Sequence, residues 1–273
     1  MSRRSWGGIA ALVVVVLVVA VAAWSGRQLP EPDAIDVAGP DTTTEVQPVT
    51  TPPPETSTTT TLETTTSSTE PPPPPASVAA KVSGPIEVYE APGDPAPVRT
   101  LPATTVLGTP TVVSVLDDSI DGWVEAMLPG RPNGATGWLR TDDLEIFTFD
   151  REVVVDLSDR LLTVVTDGIV NFQTDIAIGS EASPTPTGTF FVTDAVELTR
   201  PRGPWGPFAF GLSARSDVVT EFAGGDGIIG IHGTNQPWSI GEAASLGCIR
   251  LPNDVMAILW EIVAVGVKVT ISD

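Results

Sequence analysis

Two segments near the C-terminus decide how the chain folds and what it does: Gly230-Ile231-His232-Gly233-Thr234-Asn235 and Ser245-Leu246-Gly247-Cys248-Ile249-Arg250-Leu251. They hold the one histidine and the one cysteine of the 273 residues. A thiol attacks as thiolate, which is a minor species at neutral pH, so a nearby imidazole is its usual activator. The apolar run over residues 227–231 predicts a short buried strand that ends at His232. Together the segments predict a nucleophilic site on a β fold.

Each of the two residues also has an ordinary structural explanation. A free cysteine is most often a small buried hydrophobe, and a lone histidine is most often a hydrogen-bonded structural residue. The glycines that flank both residues permit tight turns and let a substrate approach backbone N–H groups. The choice between the two explanations depends on the compartment, which the N-terminal part of the chain indicates.

The first 25 residues are predicted to form a signal anchor. Arg3 and Arg4 precede an uncharged run over residues 7–23, which places the N-terminus in the cytoplasm and the remainder outside. The run is marginal for a spanning helix and residues 20–22 also fit a cleavage signal, so the protein is either membrane-anchored or secreted into the cell envelope. An exported protein with one cysteine has no internal disulfide, which favours a reactive role for Cys248.

The overall composition limits the classes of partner. The formal net charge is −20 and the isoelectric point is near 4.2. Nucleic acids and anionic lipid headgroups are bound by clusters of Lys and Arg, which the sequence lacks, so we expect neither as a partner. Because one histidine and one cysteine are too few ligands for a typical zinc site, we expect no metal, and no cofactor is implied.

The middle of the chain divides into a linker and a small β domain. Residues 26–77 are rich in Thr, Pro, Glu and Ser and predict a disordered linker. Residues 78–148 contain short apolar runs separated by turn residues, and they predict a small barrel. Their Gly-Trp pairs at Trp123 and Trp138 resemble those of bacterial SH3-like domains. We expect both rings in the barrel core, with stacking on a cell-wall ligand as the alternative.

Residues 149–273 predict a second, mostly β domain with one helix. Residues 152–157 and 160–165 predict a hairpin. Further strands are predicted over residues 189–193 and 268–271, and residues 200–211 predict an irregular loop whose aromatic side chains either bind substrate or cover a satellite core. The helix is predicted to begin near Pro252 or Asn253 and to end before Gly266, with apolar residues at positions 255, 258, 259, 262 and 263.

Residues from about 151 to 273 resemble the L,D-transpeptidase catalytic domain of the YkuD family. The resemblance rests on the two segments quoted above and on Thr185-Pro186-Thr187-Gly188. It implies a peptidoglycan cross-linking enzyme that acts on stem peptides: the thiolate attacks the carbonyl before the terminal D-alanine, D-alanine leaves, and an acceptor amine resolves the thioester. The predicted fold class is therefore mostly β, with a small SH3-like barrel followed by an L,D-transpeptidase-type domain that has one helix near the C-terminus.

The resemblance also assigns roles to residues. Cys248 is the implied nucleophile, and His232 is the implied general base, oriented by the backbone carbonyl of Gly233. The backbone N–H groups of Gly247 and Cys248 form the implied oxyanion hole. Arg250 either binds a stem carboxylate or braces the loop. The implied substrate-binding residues are Arg250, Ser245, Thr234 and Asn235.

Leu246 stands where many members of the family have a second histidine, and it can neither titrate nor donate a hydrogen bond. This departure leaves open a catalytically inactive wall-binding protein, and an L,D-carboxypeptidase is a further alternative. An NlpC/P60-type cysteine peptidase is excluded because its cysteine precedes its histidine in the chain. Here no histidine follows Cys248.

Overall fold

The structure is a computed structural model that describes residues 77–222 and 225–273. The predicted signal anchor and all but the last residue of the predicted linker lie outside the described residues. No helix within the two described ranges is long and apolar enough to cross a membrane. The strands and the α-helix in these ranges are β1 (Ser77–Val82), β2 (Ile86–Val88), β3 (Arg99–Leu101), β4 (Val112–Asp117), β5 (Trp123–Met127), β6 (Thr136–Arg140), β7 (Leu144–Phe149), β8 (Arg151–Asp156), β9 (Leu161–Thr166), β10 (Ile169–Asp175), β11 (Ile178–Gly179), β12 (Gly188–Glu197), β13 (Phe208–Arg215), β14 (Ile228–His232), β15 (Ala243–Ser245), β16 (Ile249–Arg250), α1 (Asn253–Ile262) and β17 (Lys268–Ser272).

Residues 77–149, here called the N-terminal module, form a five-stranded antiparallel sheet and a small ribbon. The strand order of the sheet is β6-β5-β4-β1-β7, and β2 pairs with β3 in the ribbon. Because successive residues of a strand point to opposite faces, the inward-facing set packs into one cluster. Its members are Ala80, Val82, Ile86, Val88, Leu101, Val113, Val124, Ala126, Leu128 and Leu139. The predicted turns near residues 117–122 and 131–134 both connect neighbouring strands of this sheet.

Trp123 and Trp138 do not belong to that cluster, so the prediction that they are core residues of the barrel is wrong. Both are half-buried, and they alternate along β5 and β6 with residues of the cluster, so they lie on the opposite face of the sheet. The ring of Trp123 meets Tyr89 edge to face at 5.2 Å between centroids, and the Arg140 guanidinium lies 4.7 Å above it. Alternation indicated that these strands have two faces, but it did not indicate which face is enclosed.

Residues 150–273, here called the C-terminal module, form an eight-stranded sheet in the order β10-β9-β8-β17-β12-β13-β14-β16. The β8–β17 and β14–β16 pairs are parallel, and the other pairs in the sheet are antiparallel. The predicted hairpin is β8–β9, and the strands predicted over residues 189–193, 227–231 and 268–271 lie in β12, β14 and β17. The prediction of a mostly β chain with one helix near the C-terminus is therefore confirmed for the described residues.

The helix α1 covers part of the core of the C-terminal module. Met256 and Leu259, three residues apart on one face, are fully buried, whereas Ile258 is 51% exposed, although the predicted apolar face includes it. The helix begins directly after Pro252, whose carbonyl accepts a hydrogen bond from the Met256 N–H at 2.8 Å. Proline suits this position because the first turn has no intrahelical partner for its N–H groups.

Contacts with α1 also explain where β13 begins. The ring of Trp260 stacks on Phe208 at 4.7 Å and on Phe210 at 5.5 Å between centroids. These two residues alternate along β13, so both rings face the helix. The prediction of an irregular loop over residues 200–211 is therefore wrong for residues 208–211, which pair with β12. The irregular part consists of residues 200–207.

The outer face of β1 packs against the C-terminal module. Ala79 is fully buried, and a Cβ atom on Gly266 would lie only 2.7 Å from the Cβ of Ala79, so both residues must be small. The Ser77 hydroxyl donates to the Arg151 carbonyl at 2.7 Å and accepts from the Lys268 N–H at 3.3 Å. Side chains of the N-terminal module therefore lie within contact distance of the second sheet.

Candidate active site

The parallel pair β14–β16 brings the histidine, the cysteine and an arginine to one face of the sheet. His232, the last residue of β14, lies opposite Arg250 in the register of the pair, and Cys248 immediately precedes β16. Residues two apart on a strand share a face, so Cys248 and Arg250 point to the side on which His232 lies. All three line a cavity of about 160 Å³.

His232 is buried and is held by its own backbone neighbour. Its Nδ1 atom lies 2.5 Å from the Gly233 carbonyl oxygen. Because a carbonyl oxygen only accepts, Nδ1 carries the proton and Nε2 is left with a free lone pair. Burial lowers the pKa of His232 to about 4, and the charge of Arg250 acts in the same direction, against the opposing hydrogen bond to Gly233. The imidazole is therefore neutral at pH 7 and able to accept a proton at Nε2.

Cys248 is a free, half-buried thiol. Burial raises its pKa, while a backbone hydrogen bond from Gly230 and the charge of Arg250 work in the opposite direction. At neutral pH the site therefore holds a neutral thiol beside a neutral imidazole instead of a thiolate–imidazolium pair. Such a pair reacts by proton transfer to the imidazole as the sulfur attacks, which is general-base catalysis.

The Ser245 hydroxyl fixes the turn that carries Cys248. It donates to the Cys248 carbonyl at 2.6 Å and accepts from the Gly247 N–H at 3.0 Å. Gly247 has φ of 114°, which is accessible to glycine at little cost, and a Cβ atom there would lie 2.9 Å from the Ile229 side chain. Because the Gly247 N–H already has an acceptor, the expectation that it serves as an oxyanion donor is not supported in this conformation. The Cys248 N–H remains as the candidate donor.

Residues 183–185 also hold the turn that carries Cys248, through side-chain hydrogen bonds. Ser183 donates from Oγ to the Leu246 carbonyl at 3.1 Å, and Thr185 donates from Oγ1 to the Gly247 carbonyl at 2.9 Å. The Thr185 hydroxyl also accepts from the Gly179 N–H at 2.9 Å. These bonds give a structural purpose to the Thr-Pro-Thr-Gly stretch noted in the sequence, since they orient the backbone beside Cys248.

Of the four residues implied to bind substrate, two line the cavity and two do not. Arg250 and Ser245 line the cavity, although Ser245 is only 2% exposed and its hydroxyl is used within the turn. Thr234 is buried, and its N–H donates to Asn253 Oδ1 at 2.7 Å. Asn235 is exposed and is not part of the cavity lining. Contact with a substrate in this cavity is therefore unsupported for Thr234 and Asn235.

The charged side chain of Arg250 and the apolar side chain of Leu246 both line the cavity. Arg250 donates from Nη1 to Gln236 Oε1 at 3.0 Å, and its buried Nε has no hydrogen-bond partner among the described residues. Leu246 is 56% exposed and contributes an apolar side chain to the cavity. The cavity thus offers one cation with an unused donor next to the thiol, and an apolar surface at position 246.

Two aromatic side chains complete the cavity, and the sequence indicated only one of them. The ring of Trp205 stacks on His232 at 5.1 Å between centroids with an interplanar angle of 25°, and it lies 6.1 Å from the ring of Phe222. Trp205 belongs to the Pro- and Gly-rich loop that the sequence marked as a possible substrate-binding segment. Its neighbour Gly206 lies so close to Gly233 that a Cβ atom would be 2.6 Å from the Gly233 Cα. No periodicity or motif indicated Phe222.

Comparisons with known proteins identify relatives of the C-terminal module. The model of the YkuD L,D-transpeptidase catalytic domain matches residues 150–271. YkuD of Bacillus subtilis is 36% identical over 127 residues, which cover 46% of this chain and 68% of that protein. YqjB of the same organism is 34% identical over 135 residues, which cover 45% of this chain and 72% of that protein. The names of both proteins contain the term L,D-transpeptidase.

Solved structures with the same description are also similar. The catalytic domain of an L,D-transpeptidase from E. faecium, determined by NMR, is 27% identical and covers 45% of this chain and 97% of that chain, with a TM-score of 0.34. An L,D-transpeptidase from Mycobacterium smegmatis is 20% identical and covers 69% of this chain and 100% of that chain, with a TM-score of 0.36.

Proposed function

The chain belongs to the YkuD family of L,D-transpeptidases, and we propose that it joins peptidoglycan stem peptides through a thioester on Cys248. Its C-terminal module is an L,D-transpeptidase catalytic domain, which makes the protein an acyltransferase. The observation that carries the proposal for the site is that the one thiol and the one imidazole of the chain share a cavity with Arg250.

In the first half-reaction, the Cys248 sulfur attacks the carbonyl that precedes the terminal D-alanine of a donor stem. Nε2 of His232 takes the thiol proton during the attack and then delivers it to the amine of the departing D-alanine. The bond from the carbonyl carbon to sulfur forms as the peptide bond breaks, which leaves a thioester. The Cys248 N–H is the proposed donor to the transient oxyanion, a contact worth about 3 kcal/mol.

In the second half-reaction, an amine of an acceptor stem attacks the thioester. His232 accepts a proton from this amine, and the sulfur leaves and regains a proton from the imidazole. If water replaced the amine, the same steps would give an L,D-carboxypeptidase. Because Leu246 can neither donate nor titrate, the proposed mechanism assigns every proton transfer to His232.

Arg250 is the proposed anchor for a carboxylate of the stem peptide. Its guanidinium is half-buried beside the thiol, and the unpartnered Nε supports this role, since a buried donor without an acceptor is costly. A guanidinium also binds a carboxylate with two parallel hydrogen bonds, which would fix the stem in one orientation.

The N-terminal part of the chain is proposed to hold this enzyme in the cell envelope. Residues 1–25 would be a signal anchor in the cytoplasmic membrane, or a cleaved signal in a secreted protein, and residues 26–77 a disordered tether. Residues 78–148 would be an SH3-like domain, and residues 149–273 the catalytic domain. The short strands and tight turns of the N-terminal module support the SH3-like assignment.

The proposed activity is tested with a synthetic tetrapeptide stem that ends in D-alanine, in the presence of an acceptor stem. We expect the full chain to release D-alanine and to form a cross-linked product of the summed mass less one D-alanine. Release of D-alanine with only a shortened stem would identify a carboxypeptidase. If neither product forms, the chain is not an enzyme of this type, and the wall-binding alternative is favoured.

The lowered pKa of His232 predicts that the reaction rate falls only at a lower pH than is usual for a histidine base. The base acts only when it is unprotonated, so kcat/KM should fall as the pH drops through the folded-state pKa of about 4 and not through the ordinary value of 6.5. Activity at pH 5.5 should therefore stay within about twofold of that at pH 7. The measurement is the initial rate of D-alanine release from pH 3.5 to 8, with re-assay at pH 7 to exclude unfolding. An acid limb centred near 6.5 would contradict the buried, neutral imidazole.

A further inference from the structure

We propose that the N-terminal module positions one wall of the active site, and that Arg131 and Asn133 are positioning residues for the reaction. The wall consists of the described residues between β13 and β14, 216–222 and 225–227, here called the wall loop. The inference rests on the proposed function, because it concerns how a stem peptide is held next to Cys248. It gives the N-terminal module a role inside the active site, in addition to any role as a spacer.

The wall loop contributes directly to the cavity around the thiol. Ser216, Val219, Phe222 and Gly227 are among the residues that line it. The ring of Phe222 contacts Trp205, and Trp205 in turn stacks on His232. A displacement of the wall loop would therefore change both the shape of the cavity and the aromatic contacts that cover the imidazole.

Bonds within the C-terminal module close the wall loop at its base. The Ser216 N–H donates to the Gly227 carbonyl at 2.8 Å, which closes the loop at its base. Arg215 donates from Nε to Asp226 Oδ1 at 2.7 Å, and the Asp226 carboxylate is half-exposed. The Arg215 guanidinium is largely buried, so this ion pair restrains Asp226 near the second end of the loop.

The N-terminal module binds both ends of the wall loop through Arg131. The guanidinium Nη2 of this residue donates to the Ser216 carbonyl at 2.6 Å and to the Asp226 carbonyl at 3.2 Å. One charged group thus bridges the first residue of the loop and a residue at its other end. Charge-assisted hydrogen bonds of this kind are stronger than those between neutral groups.

Asn133, in the same turn, binds the residue before the loop in two directions. Its Nδ2 donates to the Arg215 carbonyl at 2.8 Å, and its Oδ1 accepts from the Arg215 N–H at 2.8 Å. The side-chain amide therefore pairs with one backbone unit as a neighbouring strand would. Gly130 adds a backbone bond to the Ser213 carbonyl at 3.2 Å. The turn over residues 130–134 is in this way fixed to the end of β13.

A second loop of the N-terminal module lines another cavity that the two aromatic rings also line. Val106 and Leu107, with Trp205 and Phe222, contribute to a second, apolar cavity of about 290 Å³. Thr105 holds this loop in place, because its hydroxyl donates at 2.5 Å to the carboxylate of Asp194, which is 2% exposed. The two rings therefore border both the active-site cavity and a cavity to which the N-terminal module contributes.

The experiment compares variants of the full chain. Arg131→Ala removes the bond to both ends of the wall loop, and Asn133→Ala removes the bidentate pair. We expect each to lower kcat/KM for D-alanine release about tenfold, mainly by raising KM, because a displaced wall loop loses contacts with the bound stem peptide. Arg131→Lys should recover part of the loss, since an ammonium group still donates to carbonyl oxygens.

Two further readouts separate positioning from a general loss of structure. Alkylation of Cys248 by iodoacetamide depends on the thiol and not on stem-peptide placement, so Arg131→Ala should slow it by no more than about twofold. Hydrogen exchange of backbone amides in the wall loop should be faster in Arg131→Ala. Arg140→Ala is the matched control, because Arg140 lies over Trp123 and Tyr89 within the N-terminal module. We expect wild-type values for it in all three assays.

The outcomes decide the proposal whether or not the proposed function holds. Wild-type kcat/KM and wild-type exchange in Arg131→Ala would overturn it, as would equal losses in Arg131→Ala and Arg140→Ala. If the wild type released no D-alanine, the proposed function would fail. The exchange comparison would then still decide whether the N-terminal module restrains the wall loop.

Discussion

Cys248→Ala is expected to abolish D-alanine release, with a loss of about 10⁴-fold or more in kcat. The chain has no other thiol, so no second residue can form the thioester. Cys248→Ser is expected to be almost as inactive. A hydroxyl is much less acidic than a thiol, and an imidazole whose pKa is lowered to about 4 is too weak a base to activate it. The measurement is the initial rate of D-alanine release from a tetrapeptide stem.

The control for this prediction is that both variants remain folded and bind the stem peptide. The Cys248 side chain accepts a hydrogen bond from the Gly230 backbone, but the conformation of the turn is fixed by Ser245, which binds the Cys248 backbone carbonyl. The melting temperature and the affinity for the stem should therefore stay close to the wild-type values. If Cys248→Ala retained more than about one hundredth of the wild-type rate, Cys248 would not be the nucleophile.

His232→Gln is expected to lower kcat by about 10²- to 10⁴-fold, the usual contribution of a positioned base. Glutamine keeps a polar side chain that can donate a hydrogen bond, but it removes the group that titrates. Since the thiol is then ionised only by solvent, the residual rate should rise with pH toward the raised pKa of Cys248. The pH dependence of D-alanine release in this variant checks the prediction.

A matched variant distinguishes loss of the base from a change in packing. His232→Ala removes the ring on which Trp205 stacks, and it opens a space beside the thiol. Added imidazole should restore part of the activity of this variant and none of the activity of Cys248→Ala. A His232→Gln enzyme with more than about a tenth of the wild-type rate would assign the proton transfers to another group.

Much of the fold could be predicted because the spacing of apolar residues indicates which side chains are buried, and because Gly and Pro mark turns and helix ends. The alternation in β8 and β9 predicted their hairpin, and the spacing of apolar residues before Gly266 predicted α1. The same reasoning was wrong about Trp123 and Trp138, since alternation separates two faces without indicating which is enclosed. It was also wrong about the start of β13, because the contact of Phe208 with Trp260 joins residues that are far apart in sequence.

The sequence predicted the two reactive residues of the site, but not the hydrogen bonds and side chains that surround them. The singleton status of His232 and Cys248, with their flanking glycines, was visible in the sequence. The engagement of the Gly247 N–H by Ser245 was not, because hydrogen-bond partners depend on the conformation of the turn. Phe222 and the Arg131 contacts could not be predicted either, since they depend on how the two sheets meet.

The neutral state of the dyad follows from the surroundings and not from the motif. A histidine near a cysteine suggests an ion pair, but burial disfavours the charged form of each partner. The charge of Arg250 lowers the pKa of both groups, which opposes protonation of His232 while favouring the thiolate. The site is therefore arranged to create charge only when a substrate carbonyl is present.

The most direct test of the central claim is the intact mass of the protein after brief exposure to a tetrapeptide stem without acceptor, with acid quenching. The account predicts that wild-type protein gains the mass of the stem less D-alanine, that the added mass maps to Cys248, and that an acceptor amine removes it. Cys248→Ala should gain nothing. Wild-type protein that releases D-alanine without any such adduct, or that carries the adduct on another residue, would contradict the account.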